Sequence, residues 1–174
     1  KGTDAAQTAF RSVATFLIVS TTLITIIGVI FADQLVSLIA PGFEPPEREL
    51  CVLMTRIMLP YIVFVSLIAL FNGALTSLKS FGAAAAAQSI MNVVLIVGGL
   101  ISALFEPRQG ILVLSISVFL GGVVQVLAQI PSVQQVKLRF ELGFANSRKI
   151  ISGLLRLMAP ALLGATIYQI VIFS

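Results

Sequence analysis

Arg56-Ile-Met-Leu-Pro-Tyr61, with the apolar run Ile62 to Leu75 behind it, decides how this chain folds. An arginine enters a segment that otherwise reads as soluble in hydrocarbon, and a proline follows four residues later. Arg56 to Leu75 is about 20 residues, and at ~1.5 Å per residue a helix of that length crosses the ~30 Å apolar core of a bilayer. This segment belongs to a span of about Cys51–Ser77, and four others resemble it: about Ser12–Phe31, Ala83–Phe105, Ile111–Ile130 and Ile150–Phe173. Five such segments in 174 residues predict an all-α, polytopic transmembrane helix bundle.

Composition agrees. Hydrophobic residues make up 58% of the chain and charged ones 10%, with a mean hydropathy of +1.08. Soluble domains carry roughly 25% charged residues. The net charge of +4 does not argue for nucleic acid, because the basic residues form no single patch interleaved with aromatics. With no histidine and one cysteine, Cys51, an internal disulfide and the usual His/Cys metal sites are excluded, and no cofactor is expected. Tryptophan is absent, so phenylalanine must take much of the interfacial role. Lys1-Gly-Thr-Asp4 has no initiator Met and no signal-peptide layout, and Gln169 to Ser174 stops inside an apolar run. An internal piece of a longer chain is the expectation.

In chain order, Asp4, Gln7 and Arg11 place the start of the first helix in water and at the interface. Past Asp33 and Gln34, the residues Leu35, Leu38 and Ile39 recur at helical spacing and predict a short amphipathic turn on the membrane surface, broken by Pro41-Gly42. Pro45 and Pro46 restart a helix whose early acids Glu47 and Glu49 suit its dipole. Pro60 should kink the second span, because its ring clashes with the carbonyl of Arg56 and it lacks an N–H. Gly98 and Gly99 precede Ser102 and Ala103 by four residues, and Ser117 precedes Gly121 likewise. Such spacing lets helix backbones approach in lipid. The fourth span should end at Pro131, and Ser147 is placed to cap the fifth.

Lysine and arginine set the orientation. One side receives Lys1, Arg11, Lys79, Lys137, Arg139, Arg148 and Lys149, the other only Arg48 and Arg108, a ratio of seven to two, or eight to three with Arg56 and Arg156. Residues 1–11, 78–82 and 132–149 are therefore expected in the cytoplasm.

Arg56 and Arg156 head two copies of one pattern, Arg56-Ile-Met-Leu-Pro60 and Arg156-Leu-Met-Ala-Pro160. Each arginine either snorkels to headgroup phosphates from near its helix start or faces an aqueous cavity and binds an anionic substrate. At the bilayer centre an arginine costs at least ~2.5 kcal/mol, so a deep one needs the second reason. Asn72, Gln88, Asn92, Gln125, Gln129 and Gln169 are amides in or near apolar spans, suited to hydrogen bonds between helices. Cys51 reads as a small apolar filler. No catalytic constellation is present: no histidine, no G-x-S-x-G, no P-loop, no paired carboxylates within a span. An enzyme reading therefore has little to stand on.

Leu38-Ile-Ala-Pro-Gly-Phe43, Thr55-Arg-Ile-Met-Leu-Pro-Tyr61, Leu70-Phe-Asn-Gly-Ala-Leu-Thr-Ser77 and Met91-Asn92 occur in an order that resembles the MurJ/MviN family. So do Gly121-Gly-Val-Val-Gln125, Gln129-Ile-Pro131, Leu155-Arg-Leu-Met-Ala-Pro160 and Gln169-Ile170. These are lipid II flippases of the MOP exporter superfamily. The resemblance implies a two-lobed helical transporter of the bacterial cytoplasmic membrane, working by alternating access. It places the five spans as the third to seventh of about fourteen helices. Residues 1–149 would finish the first lobe, and 150–174 would begin the second. It implies lipid-linked peptidoglycan precursor as substrate, with membrane lipids and cell-wall synthesis proteins as partners and no nucleic acid. The seventh helix lines the family's cavity, which makes Arg156, Tyr168 and Gln169 substrate-binding candidates beside Arg56. The family pattern after Gln-Ile continues with Asn and then an acid, whereas Val171 stands here, so a cation site there is unsupported. A related exporter of O-antigen or drugs, and a membrane scaffold that transports nothing, are the alternatives.

Overall fold

A computed structural model describes residues 2–143 and, beyond them, Ser152 and Gly153, which are helical. The described residues form six helices: α1 (Gly2–Ile30), α2 (Ala32–Ile39), α3 (Pro45–Met58), α4 (Tyr61–Ser77), α5 (Phe81–Ser102) and α6 (Pro107–Gln135). Four stretches are long and apolar enough to cross a membrane: Ala6–Ile30, Pro45–Ser77, Ala85–Ser102 and Pro107–Gln135. They match the first four expected spans, and the protein is a multi-pass membrane protein. The fifth span lies outside the described residues, save for that helical pair.

α3 and α4 are two halves of one rod broken at Pro60. The cap Leu59 and Pro60 both keep right-handed helical angles, and Ile62 and Val63 donate to Leu59 and Pro60, three residues back, at 3.0 and 3.1 Å. A local tightening at the proline is the physical form of the expected kink. α3 and α6 both begin at a Glu-Pro step, with Glu44 and Glu106 held extended by the proline that follows. The second and fourth spans thus start earlier than hydropathy alone implies.

Pro131 does not end the fourth span. α6 continues to Gln135, because proline removes one hydrogen bond without forbidding helical angles to the residues after it, and Val133 is fully buried in the last turn. Both α4 and α6 then close with the same device. Ser80 donates to the Leu75 carbonyl and Lys79 to Thr76; Leu138 donates to Val133 and Lys137 to Gln134. These are Schellman ends, and they set Lys79 and Lys137 at φ 62° and 64°. Left-handed backbone costs a side-chain-bearing residue roughly 1 kcal/mol.

α4 packs on α1, α5 and α6, and α6 packs on α3, α4 and α5. One apolar cluster joins Phe10, Leu67, Ile68, Phe71, Leu75, Val126, Val133 and Leu138. Small residues set the approach of α5 to α6, as their spacing predicts. A Cβ on Gly98 would lie 2.2 Å from Ser117 Oγ, and one on Gly121 would lie 2.6 Å from Met91 Sδ. Gly99 meets nothing, so of the two expected pairs on α5 only the one with Gly98 lies at a contact. The hydroxyls of Ser115 and Ser117 bond back to Ile111 and Val113 at 3.0 and 2.8 Å, which explains how they sit buried in an apolar rod.

Candidate functional site

Arg56 lies on α3 with Glu49, Val52 and Leu53, spaced 49, 52, 53, 56 along one helical face. With Asp33, Phe43, Pro45 and Arg48 this face lines a cleft of about 550 Å³ between α3, α2 and the loop joining them. α2 is the expected amphipathic turn: Ala32 and Val36 are buried against Val52, while Leu38 and Ile39 are each 80% exposed. Its apolar side is open to whatever surrounds the bundle, as a surface-lying helix requires.

The two arginines of the cleft are not equivalent. Arg48 Nη2 donates to Asp33 Oδ2 at 2.8 Å and to Ser37 Oγ at 2.6 Å, tying α3 to α2. Arg56 is exposed and, among the described residues, makes no ion pair or hydrogen bond. It lies eleven residues past Pro45, about 16 Å along the axis at 1.5 Å per residue, and one turn before the break at Pro60. The formal charges of Arg48, Arg56, Asp33 and Glu49 cancel, so the cleft as a whole does not draw an anion. What it offers is one guanidinium with free donors, beside apolar walls formed by Phe43, Val52 and Leu53. Arg156, Tyr168 and Gln169, the other candidates, lie outside the described residues.

In the sequence Asp33 reads as the end of the first span and Arg48 as one of two basic residues on its side. Their pairing across fifteen residues had no local signal. The stripe from Glu49 to Arg56 did, as helical spacing within an expected helix.

At the opposite end of the bundle, Lys137–Gly143 is not a free connection. Gln7 Nε2 donates to the Arg139 carbonyl and Gln7 Oε1 accepts from the Arg139 N–H, both at 2.8 Å. Two turns along α1, Thr15 Oγ1 accepts from the Gly143 N–H at 2.8 Å while its own proton goes to the Arg11 carbonyl at 2.8 Å. Between them Arg11 approaches Glu141 at 3.8 Å and lies over Gly143, where a Cβ would stand 1.9 Å from Arg11 Nη2. Leu138 and Phe140 face the other way, and Phe140 meets Phe71 edge-on at 5.6 Å. The alternation is that of a strand, with polar side chains of α1 standing in for a neighbouring strand's backbone.

Four helical stretches long and apolar enough to cross a membrane, with glycine-set contacts, buried amides and an arginine-bearing cleft, define an integral membrane protein, and no metal-ligand cluster occurs among the described residues. The family model "Lipid II flippase MurJ" matches residues 1–173, and the chain belongs to that family. It is 35% identical to the probable lipid II flippase MurJ of Rickettsia prowazekii over 162 residues, covering 91% of this chain and 32% of the relative. It is 30% identical to the lipid II flippase MurJ of Burkholderia cenocepacia over 176 residues, covering 98% of this chain and 34% of that one. The chain thus spans about a third of the length of the curated relatives it matches.

Proposed function

We propose that this chain is part of a flippase that carries undecaprenyl-linked peptidoglycan precursor, lipid II, across the bacterial cytoplasmic membrane by alternating access. The observation that carries the reading is the family match over residues 1–173, together with relatives named lipid II flippase. It acts as a transporter, without catalysis and without a cofactor. Residues 1–149 complete a first lobe, and 150–174 open a second. Lysine and arginine bias supports a cytoplasmic position for residues 1–11, 78–82 and 132–149. The cleft of Arg48 and Arg56 then opens on the outer side.

In this reading Arg56 meets the precursor's pyrophosphate or acidic peptide late in transfer, and Arg156, Tyr168 and Gln169 meet it within the cavity. Arginine suits both anionic groups because its planar fork gives two charge-assisted hydrogen bonds. Cell-wall synthesis proteins are the natural neighbours on the outer side. The test is precursor transfer by the protein at its natural length, reconstituted in liposomes, with Arg156→Ala and Arg56→Ala. Transfer should fall at least tenfold for Arg156→Ala at unchanged protein level and melting temperature. Unchanged transfer in both variants would remove these arginines from the substrate path, and no transfer by the unaltered protein would overturn the function.

A further inference from the structure

Lys79 and Lys137 occupy equivalent places. Each follows the cap of its helix, each has left-handed backbone, and each stands where glycine is the usual occupant. Glycine would hold the same turn without the steric penalty, so the reason for lysine lies in its side chain. Opposing the negative end of the helix dipole is not a sufficient reason. A cation one turn earlier would do that on ordinary backbone, and neither helix has a basic residue in its last turn.

The two lysines come off adjacent helix ends. Leu75 and Val133, whose carbonyls close the two Schellman ends, belong to one buried cluster with Leu138, the residue after Lys137. Arg139, two residues further, is exposed like both lysines, and its backbone is fixed by Gln7. Among the described residues none of the three cations has an ion pair. The acids at this end are Asp4, in the first turn of α1, and Glu141, which faces Arg11. Three exposed cations are thus held where two apolar spans stop, beside the exposed Leu78.

We propose that Lys79, Lys137 and Arg139 form a docking site for the phosphate of an anionic phospholipid headgroup. The ends of the spans set the three groups at headgroup depth. Lysine's long apolar stem can lie along lipid while its ammonium reaches a phosphate. Two ammonium groups and a guanidinium, none of them paired with a carboxylate among the described residues, are complementary in charge to a phosphate. The site rests on the membrane-spanning helices and is independent of flipping.

The test reconstitutes the protein at its natural length in nanodiscs of phosphatidylcholine, with or without phosphatidylglycerol, and reads the melting temperature. Phosphatidylglycerol should raise it for the unaltered protein. For Lys79→Gly with Lys137→Gly that rise should be at least halved, even though the relieved backbone melts no lower in phosphatidylcholine alone. Lys79→Arg with Lys137→Arg should keep the rise. If the glycine pair does not fold, Lys79→Gln with Lys137→Gln is read the same way. An equal rise in the unaltered protein and the neutral pair overturns the site. The same rise from inorganic phosphate in phosphatidylcholine overturns its assignment to a lipid.

Discussion

Gln129 on α6 donates through Nε2 to Oδ1 of Asn72 on α4 at 2.9 Å, and Gln129 is only 2% exposed. The bond crosses between two helices, within two turns of the Schellman ends that close them. One turn earlier on α6, Gln125 is buried too, and among the described residues the Oε1 atoms of both glutamines are without a partner. The single satisfied bond therefore carries most of the polar matching along this seam.

A double-mutant cycle reads its strength. Asn72→Leu should destabilise the bundle by about 1–3 kcal/mol, since it strands a buried amide donor. Asn72→Leu with Gln129→Leu should recover most of that loss. The coupling should exceed the ~0.6 kcal/mol typical of hydrogen bonds within membranes, because each single change also leaves a buried amide group stranded. Unfolding in denaturing detergent measures all four proteins. A double variant that is less stable than the sum of the singles would assign the pair a different role.

Gly110 sits where α6 starts beneath the end of α5. A Cβ there would come 2.8 Å from the Ser102 carbonyl oxygen, which is backbone and cannot rotate away, whereas one on Gly99 would meet nothing. Gly110→Ala should therefore cost about 1–3 kcal/mol, the usual penalty of overpacking. Gly99→Ala should be neutral or slightly stabilising, because alanine is the better helix former. Thermal melts in detergent separate the two, and equal effects would mean that the α5–α6 turn yields easily.

The clasp on α1 predicts slow amide exchange at Arg139 and Gly143, although both lie beyond the last residue of α6, Gln135. Gln7→Ala should release Arg139, and Thr15→Val should release Gly143, each raising exchange at its own amide severalfold while leaving α6 protected. Hydrogen exchange followed by mass spectrometry over 137–143 checks this. Fast exchange in the unaltered protein would show that the connection is not held.

How much of this was legible follows from where each signal lives. Four spans, the break at Pro60, the surface helix at 32–39 and the closeness around Gly98 and Gly121 all come from periodicity or residue size within one segment. The continuation past Pro131 was hidden because a proline removes one local bond, while Val133 is held by partners on other helices. The clasp was hidden for a related reason. Gln7 and Arg139 are 132 residues apart, and neither looks unusual alone. Of the site, Arg56 stood out as a charge in an apolar run. Asp33 read only as a span's end and Arg48 only as a basic residue on its side until α2 folded back on α3.

That pair gives the last prediction. Arg48 and Asp33 meet at 2.8 Å, but their side chains keep 42% and 51% exposure, so water and salt screen the attraction. Arg48→Ala should cost no more than about 1 kcal/mol of global stability, and less in high salt. Locally the effect should be larger. α2 has eight residues, and the rest of its hold on α3 is the small apolar contact of Ala32 and Val36 with Val52. Arg48→Ala, and equally Asp33→Ala, should speed exchange of the α2 amides while the long helices stay protected. Arg48→Lys should restore part of the protection, since an ammonium can pair with Asp33 but ends short of the position from which Nη2 donates to both Asp33 and Ser37. If α2 exchanges no faster in Arg48→Ala, the buried alanine and valine hold it alone, and the wall of the Arg56 cleft does not depend on the ion pair.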